Sequence, residues 1–221
     1  MSKMFIYNKH KNPKNTFQVF KFLFLVITLV VTFSQVSFAT VLKREKVDRW
    51  YESKGFIRHV EKCLSFAERK FYIEHIQNVF KQYQIPKDLI YLPVIESCYN
   101  PFAISRAGAI GMWQINDITA RHLKLRQGLF LDDRLNWQKS TEAAAKYLLF
   151  LKERFPNWTL VLAAYNVGPG YVRSQMKRRK TIDVEKLRLP RETKDYVYKF
   201  AAMMRHIHES EQRKELAKNE Q

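Results

Sequence analysis

The chain has 221 residues, a formal net charge of +18, 46% hydrophobic and 14% aromatic content, which is enough apolar material for one compact core and rarely for two. Sixteen Phe and eleven Tyr against six Gly exclude a low-complexity or linker-dominated chain and predict packed secondary structure. The charge favours a polyanionic partner without identifying one; no nucleic-acid-binding signature accompanies it, and the six histidines form neither His-Glu-x-x-His nor a Cys/His cluster, so no metal site is expected.

In chain order, Lys3, Lys9, Lys11, Lys14 and Lys21 precede an apolar run from Phe22 to Phe33, and Ser37-Phe38-Ala39 follows. A basic n-region, an h-region and an A-x-A-like site predict a signal peptide over residues 1–39, cleaved after Ala39. The run of about 12 residues falls short of the roughly 20 that span a bilayer; the alternative is an uncleaved membrane anchor over residues 22–38. Cleavage removes five lysines and no acid from +18 and leaves +13. An exported chain meets cell wall and anionic lipid rather than nucleic acid, so no nucleic-acid partner is expected.

Residues 40–84 are expected to form a helical lead-in. Trp50, Tyr51, Phe56 and Ile57 are its first packing residues, and Phe71, Ile73, Ile76, Val79 and Phe80 recur at helical spacing between Ala67 and Tyr83. Pro86 suits the start of a helix running to about Ser97. Ser140 offers an N-cap for a helix through Phe155, and Asn157 another for Trp158 to Tyr165. The last long helix is expected from Glu192 to about Glu209, with Tyr196, Phe200, Met203 and Ile207 on one face, and a charged tail over 210–221 that frays. Alternating strand patterns are scarce, so the architecture is expected to be mainly α. Cys63 and Cys98 either pair or remain as two buried thiols; a bridge between them fastens an upstream helix to the segment around Glu96.

Four of the six glycines lie in two short segments, Gly108-Ala-Ile-Gly111 and Gly168-Pro-Gly170. In a Gly-poor helical chain such clusters mark close backbone approach or positive φ. The first lacks a Gly-Lys-Ser/Thr ending and follows no strand, which disfavours nucleotide binding. Flat aromatics beside amides, Trp113 with Gln114 and Tyr165 with Asn166, suit a saccharide. Glu96 ends the apolar stretch Leu89-Ile-Tyr-Leu-Pro-Val-Ile95, a setting that raises a carboxyl pKa and keeps the proton on. A protonated carboxylic acid is what general-acid cleavage of a sugar bond requires. On position alone, the other reading is a Glu96 at a helix end, exposed to water or paired with Arg106 or Lys87.

Four segments then occur together: Leu92-Pro-Val-Ile-Glu96-Ser97-Cys-Tyr-Asn100-Pro101, Ser105-Arg-Ala-Gly108-Ala-Ile-Gly111-Met-Trp-Gln114-Ile, Ala164-Tyr165-Asn166-Val-Gly168 and Leu189-Pro190-Arg-Glu192-Thr193-Lys-Asp-Tyr196-Val197. In this order and spacing the chain resembles the lytic transglycosylase family of the soluble and membrane-bound type-D murein enzymes. The resemblance implies a goose-type, lysozyme-like single catalytic domain over residues 85–209. It implies that Glu96 is the single catalytic acid/base, protonating the oxygen between N-acetylmuramic acid and N-acetylglucosamine and then taking the proton of the muramoyl C6 hydroxyl. That hydroxyl closes a 1,6-anhydro ring and no water is consumed. Ser105 and Gln114 are implied to hydrogen-bond the sugar beside the scissile bond, Met112 and Trp113 to shape the groove floor, Tyr165 and Asn166 to face Glu96, and Glu192 and Tyr196 to line the cleft.

The implied partner is the peptidoglycan glycan strand, the implied location the periplasm, and no cofactor or metal is implied. Trp113 and Tyr196 also read as core aromatics, and Glu192 as a first-turn helix acid. Asp117, Asp132 and Asp133 are candidates for a second carboxylate, which a hydrolytic muramidase on the same fold requires. A non-catalytic peptidoglycan-binding envelope protein is the alternative from a different class. Cys98 stands where the family usually carries a small or polar residue.

Overall fold

The computed structural model describes residues 42–65, 67–128 and 130–220; the expected signal peptide lies outside them. The elements run α1 (Arg44–Tyr51), α2 (Lys54–Ser65), α3 (Ala67–Gln82), a 3-10 turn (Lys87–Tyr91) leading straight into α4 (Leu92–Ser97), α5 (Asp117–His122), α6 (Trp137–Lys152), α7 (Trp158–Val167), α8 (Pro169–Arg179), a second 3-10 turn (Val184–Lys186) and α9 (Arg191–Asn219). The architecture is mainly α, as expected: the β-structure among the described residues is limited to isolated bridges Ile104–Ile110 and Ile110–Ile115. None of these helices is long and apolar enough to cross a membrane.

Helix α7 is the centre. Thr159 through Ala164 are all buried, and a helix covered on every side belongs in a core rather than at a surface. Helix α9 packs against α7 and against α1, and also meets α2 and α4. Contact on several sides explains why its buried residues, including Tyr196, Tyr198, Phe200, Ala201 and Met204, are not confined to one stripe. Helix α6 turns Ala143, Ala144, Leu148 and Leu151 inward, and the small alanines allow close approach to its neighbours α3 and α7.

Three helices start on asparagine caps. Asn116, Asn136 and Asn157 each accept a hydrogen bond from the backbone N–H three residues on, at 2.8–2.9 Å, satisfying a donor that the helix leaves unpaired. Asn157 acts as expected. For α6 the cap is Asn136 and not Ser140, which lies buried within the first turns with its hydroxyl donated to Trp137 O.

The helix expected between Ala67 and Tyr83 forms as α3 with a buried face narrower than its apolar spacing, and one further expectation, the end of the last helix, is corrected. Phe71 is 64% exposed, so the buried face of α3 is carried by Ile76, Val79 and Phe80; the Phe71 ring instead makes a T-shaped contact with the Trp137 ring. The last helix does not end near Glu209 but continues to Asn219. Residues 210–219 contain neither Gly nor Pro, and Glu209 pairs one turn away in both directions, with Arg205 at 2.8 Å and Arg213 at 3.9 Å, the spacing at which opposite charges support a helix. The sequence reading also missed α8, which begins at Pro169 directly after Gly168 (φ 92); proline at the first helical position is suited to that role.

The segment between α4 and α5 is irregular and held by its own backbone. Gly111 N–H donates to Ala103 O (2.8 Å), Ser105 and Ala109 pair through N–H to O (2.9 Å), and Ile110 and Ile115 exchange bonds in both directions. Gly111 has φ +82, and a Cβ built there lies 2.0 Å from the carbonyl oxygen of Arg134. Glycine is therefore required at 111 both by conformation and by space. Replacing Gly111 with Ala is expected to destabilise the protein by roughly 2–4 kcal/mol, from left-handed strain plus backbone overlap. Gly108→Ala, at φ +78 in open space, should cost about 1 kcal/mol. Urea unfolding of both variants checks the difference.

Candidate active site

Glu96 lies on α4, a helix of only six residues whose Leu92, Pro93 and Val94 are buried. The residue is partly exposed, but enough protein surrounds its carboxyl to push the pKa up to about 7, chiefly through lost hydration. The Tyr196 hydroxyl of α9 donates a very short hydrogen bond to Glu96 Oε1, which opposes the rise by favouring the carboxylate. Tyr196 itself is 8% exposed, and burial first, then the nearby Glu96 and Tyr165, hold its hydroxyl well above the ordinary tyrosine range. Burial and the neighbouring Glu96 raise the Tyr165 hydroxyl in the same way. Both phenols are thus neutral donors beside the carboxyl. Tyr165 donates to Trp113 O at 2.8 Å.

Each residue expected at the site has a definite place. Met112 and Trp113 are fully buried, and it is their backbone carbonyls that meet Ser97 and Tyr165. Met112 O accepts from Ser97 Oγ at 2.8 Å, and the Trp113 indole is anchored below by its N–H to Thr141 Oγ1 (3.0 Å) and by the Phe80 ring. Gln114, at φ 47, donates its side-chain amide to Gly111 O and Ala103 O, and Ser105 Oγ accepts from Ala109 N–H at 2.9 Å. Both side chains therefore shape the loop over which they lie. Asn166 is exposed, and its Oδ1 accepts from the buried Thr193 hydroxyl at 2.8 Å, tying the end of α7 to the start of α9. Glu192 is exposed in the first turn of α9. The structure brings Glu96, Tyr165 and Tyr196 together, with Ser105 and Gln114 in the adjoining loop.

The candidates for a second carboxylate are held in ion pairs. Asp117 and Asp132 both grip the buried Arg134, Asp132 at 2.6 Å, and this guanidinium keeps the Asp132 carboxyl below its ordinary range. Asp133 pairs with Arg126 at 3.0 Å and Lys139 at 2.8 Å, which hold it far down as an anion. Arg134 was not foreseen. Its signal was the charged triplet Asp132-Asp133-Arg134 ahead of Trp137, but nothing local says that Arg134 folds inward or that its carbonyl meets Gly111.

Cys63 and Cys98 form a disulfide, which resolves the two readings of the cysteines. His59 Nε2 lies 3.5 Å from Cys63 Sγ, but with both sulfurs bonded to each other this trio is not a thiolate metal site.

Known proteins resemble this chain in sequence and in fold. A membrane-bound lytic murein transglycosylase D of Escherichia coli K12 is 34% identical over 165 residues, covering 72% of this chain and 35% of the relative. A membrane-bound lytic murein transglycosylase F of Desulfosudis oleivorans is 31% identical over 97 residues, 41% of this chain and 20% of the relative. The chain thus spans about a third or less of the length of these relatives. Among solved structures, the lytic transglycosylase Slt of Pseudomonas aeruginosa superposes with a TM-score of 0.51 at 23% identity, over 63% of this chain and 24% of that one, so the two share the lysozyme-like fold. The family model described as the transglycosylase SLT domain matches residues 74–187, a span that contains Glu96, the Gly111 loop and Tyr165, and the chain belongs to that family.

Proposed function

We propose that this protein is a peptidoglycan lytic transglycosylase that cleaves the bond between N-acetylmuramic acid and N-acetylglucosamine and releases 1,6-anhydromuramoyl products. The observation that carries this reading is a desolvated Glu96 whose carboxyl meets a neutral tyrosine donor, while Asp117, Asp132 and Asp133 are committed to arginine and lysine. A single carboxyl with a pKa near neutrality can give a proton and then take one back. Hydrolysis with an activated water calls for a second carboxylate, whereas attack by the sugar's own C6 hydroxyl is intramolecular and needs none.

Because Tyr196 donates to Oε1, the acidic proton resides on Oε2, the oxygen that would face the glycosidic bond. As the bond breaks, the same Tyr196 hydroxyl stabilises the carboxylate that forms, and the carboxylate then accepts the C6 hydroxyl proton. Tyr165, Asn166, Glu192 and the loop of Ser105 and Gln114 would contact the sugars on either side, over a floor stiffened by Met112 and Trp113. Residues 85–209 would form the catalytic domain, residues 40–84 its lead-in and 210–221 a charged extension. Residues 1–39 would direct export, so that the enzyme works in the periplasm on the wall.

The decisive experiment is mass spectrometry of soluble products from purified murein sacculi. Wild type is expected to release anhydromuropeptides and Glu96→Gln to lose at least about 100-fold in rate, the scale of a general acid–base group. Reducing-end products would instead mean a hydrolase, and binding without cleavage a wall-binding protein.

The activity should fall as pH rises through about 7, where Glu96 loses its proton. Tyr196→Phe removes the interaction that lowers this pKa, so its descending limb should lie at higher pH than that of wild type in the same product assay.

Stability should follow the same group. Between its ordinary pKa of 4.5 and about 7 the folded state holds a proton that the unfolded state has released, so the wild-type fold loses stability as pH rises through that window. Glu96→Gln carries no such loss. Denaturant unfolding should show the variant gaining on wild type between pH 4 and pH 9, by about 2–3 kcal/mol.

A further inference from the structure

The disulfide joins α2 to the residue that follows α4. Cys63 is fully buried on α2, Cys98 lies two residues after Glu96, and their Cα atoms are 5.1 Å apart across a sequence separation of 35. Cys98 and the next residue, Tyr99, have φ values of 55 and 59. Two consecutive side-chain-bearing residues in the left-handed region are strained, and they persist only where the surroundings over-determine them.

Most of the restraints on this turn are local. Cys98 and Tyr99 donate their N–H groups to Val94 O and Pro93 O at 3.2 Å, and the buried Tyr99 hydroxyl donates to Ile90 O at 3.0 Å. All of these partners lie in the same short stretch of chain and would move with it. Ser97 Oγ to Met112 O reaches across to the neighbouring loop. The Arg69 guanidinium of α3 lies over the Tyr99 ring, 5.9 Å from its centroid, and the covalent link refers the turn to α2, a helix that also packs against α4 and against α9, the helix that supplies Tyr196. A six-residue helix does not hold its own orientation.

Building on the activity proposed above, we propose that the Cys63–Cys98 disulfide is a positioning device for Glu96: it holds the left-handed turn after α4 in register with α2 and α9, and full catalytic rate depends on it. It does not touch substrate. Its contribution lies in keeping the carboxyl against Tyr196 and out of water.

The test compares oxidised wild type with the double variants C63A/C98A and C63A/C98G, each verified as folded by circular dichroism at 10 °C. Readouts are kcat and KM on sacculi and the titration midpoint of the Glu96 carboxyl by carbon-13 NMR. The alanine pair should lose about 10- to 100-fold in kcat, as displaced catalytic groups do, with KM within about twofold, and its Glu96 midpoint should move down toward the ordinary carboxylate range. Glycine at 98, which enters the left-handed region without side-chain strain, should recover part of both losses.

If the alanine pair does not fold, wild type held in dithiothreitol serves instead. The dithiol becomes its cyclic disulfide as Cys63 and Cys98 take up two electrons and two protons, and the same losses should appear and reverse on reoxidation. The proposal is overturned by a folded, bridge-free protein with wild-type kcat and an unmoved Glu96 midpoint. The NMR readout needs no turnover, so a wild type that fails to cleave sacculi would sink the proposed activity while the positioning question is still answered by the midpoint.

Discussion

A carboxyl group that keeps its proton near neutral pH has to be separated from water, and the packing around Glu96 supplies that separation. Desolvation is non-directional: it raises the pKa wherever the carboxyl points. The directional element is the Tyr196 hydroxyl, which lowers it again. The balance of the two leaves Glu96 at about 7, where donating and accepting a proton are of similar difficulty. That balance requires two elements 100 residues apart in sequence to meet with little error. The meeting is secured by the burial of α9 against α7 and α1, a hydrophobic term far larger than the hydrogen bond it positions.

The other side of the site is built by backbone rather than by side chains. Gly111 lets the chain pass directly over the carbonyl of Arg134, and the Arg134 side chain, clamped by Asp117 and Asp132, fixes the far end of that contact. With the loop pinned in this way, the carbonyls of Met112 and Trp113 become acceptors for Ser97 and Tyr165. The Trp113 ring, one of the two flat aromatics that suit a saccharide in the sequence, is instead fully buried along with the Met112 side chain. Removing one buried partner of the Arg134 cluster would leave a charge uncompensated, so the acids that a reader would first suspect of catalysis are bound to structure.

Much of this was legible in the sequence where one physical signal dominated. Glu96 at the end of an apolar stretch, the glycine clusters and the Asn157 cap each followed from a local rule, and the four ordered segments pointed to the family. What escaped was set by distant contacts. Trp113 reads alike as a stacking platform or a core ring, and only its burial against Phe80 and its bond to Thr141 decide. Ser140 and Asn136 are both good caps four residues apart, and the choice fell to the one whose side chain meets an unpaired N–H, while Ser140 is drawn inward by the core. The extension of α9 past Glu209 rests on ion pairs among residues whose polarity alone suggested fraying.

Placement of Glu96 and local comfort pull against each other in the turn after α4. A glycine at 98 or 99 would relieve the left-handed strain, yet it would also free the backbone to sample other conformations just beyond Glu96. Side chains at both positions narrow that freedom, and each is held: Tyr99 by burial and its bond to Ile90, Cys98 by the bond to Cys63. Strain confined by a covalent contact on one residue and a core contact on the next fixes the direction in which the chain leaves α4. The same direction carries it into the loop whose carbonyls receive Ser97 and Tyr165. In the proposed mechanism one carboxyl works alone, with no second group to compensate for a misplaced first, so rigidity just after Glu96 would be worth more to the chemistry than relaxed backbone geometry is to the fold.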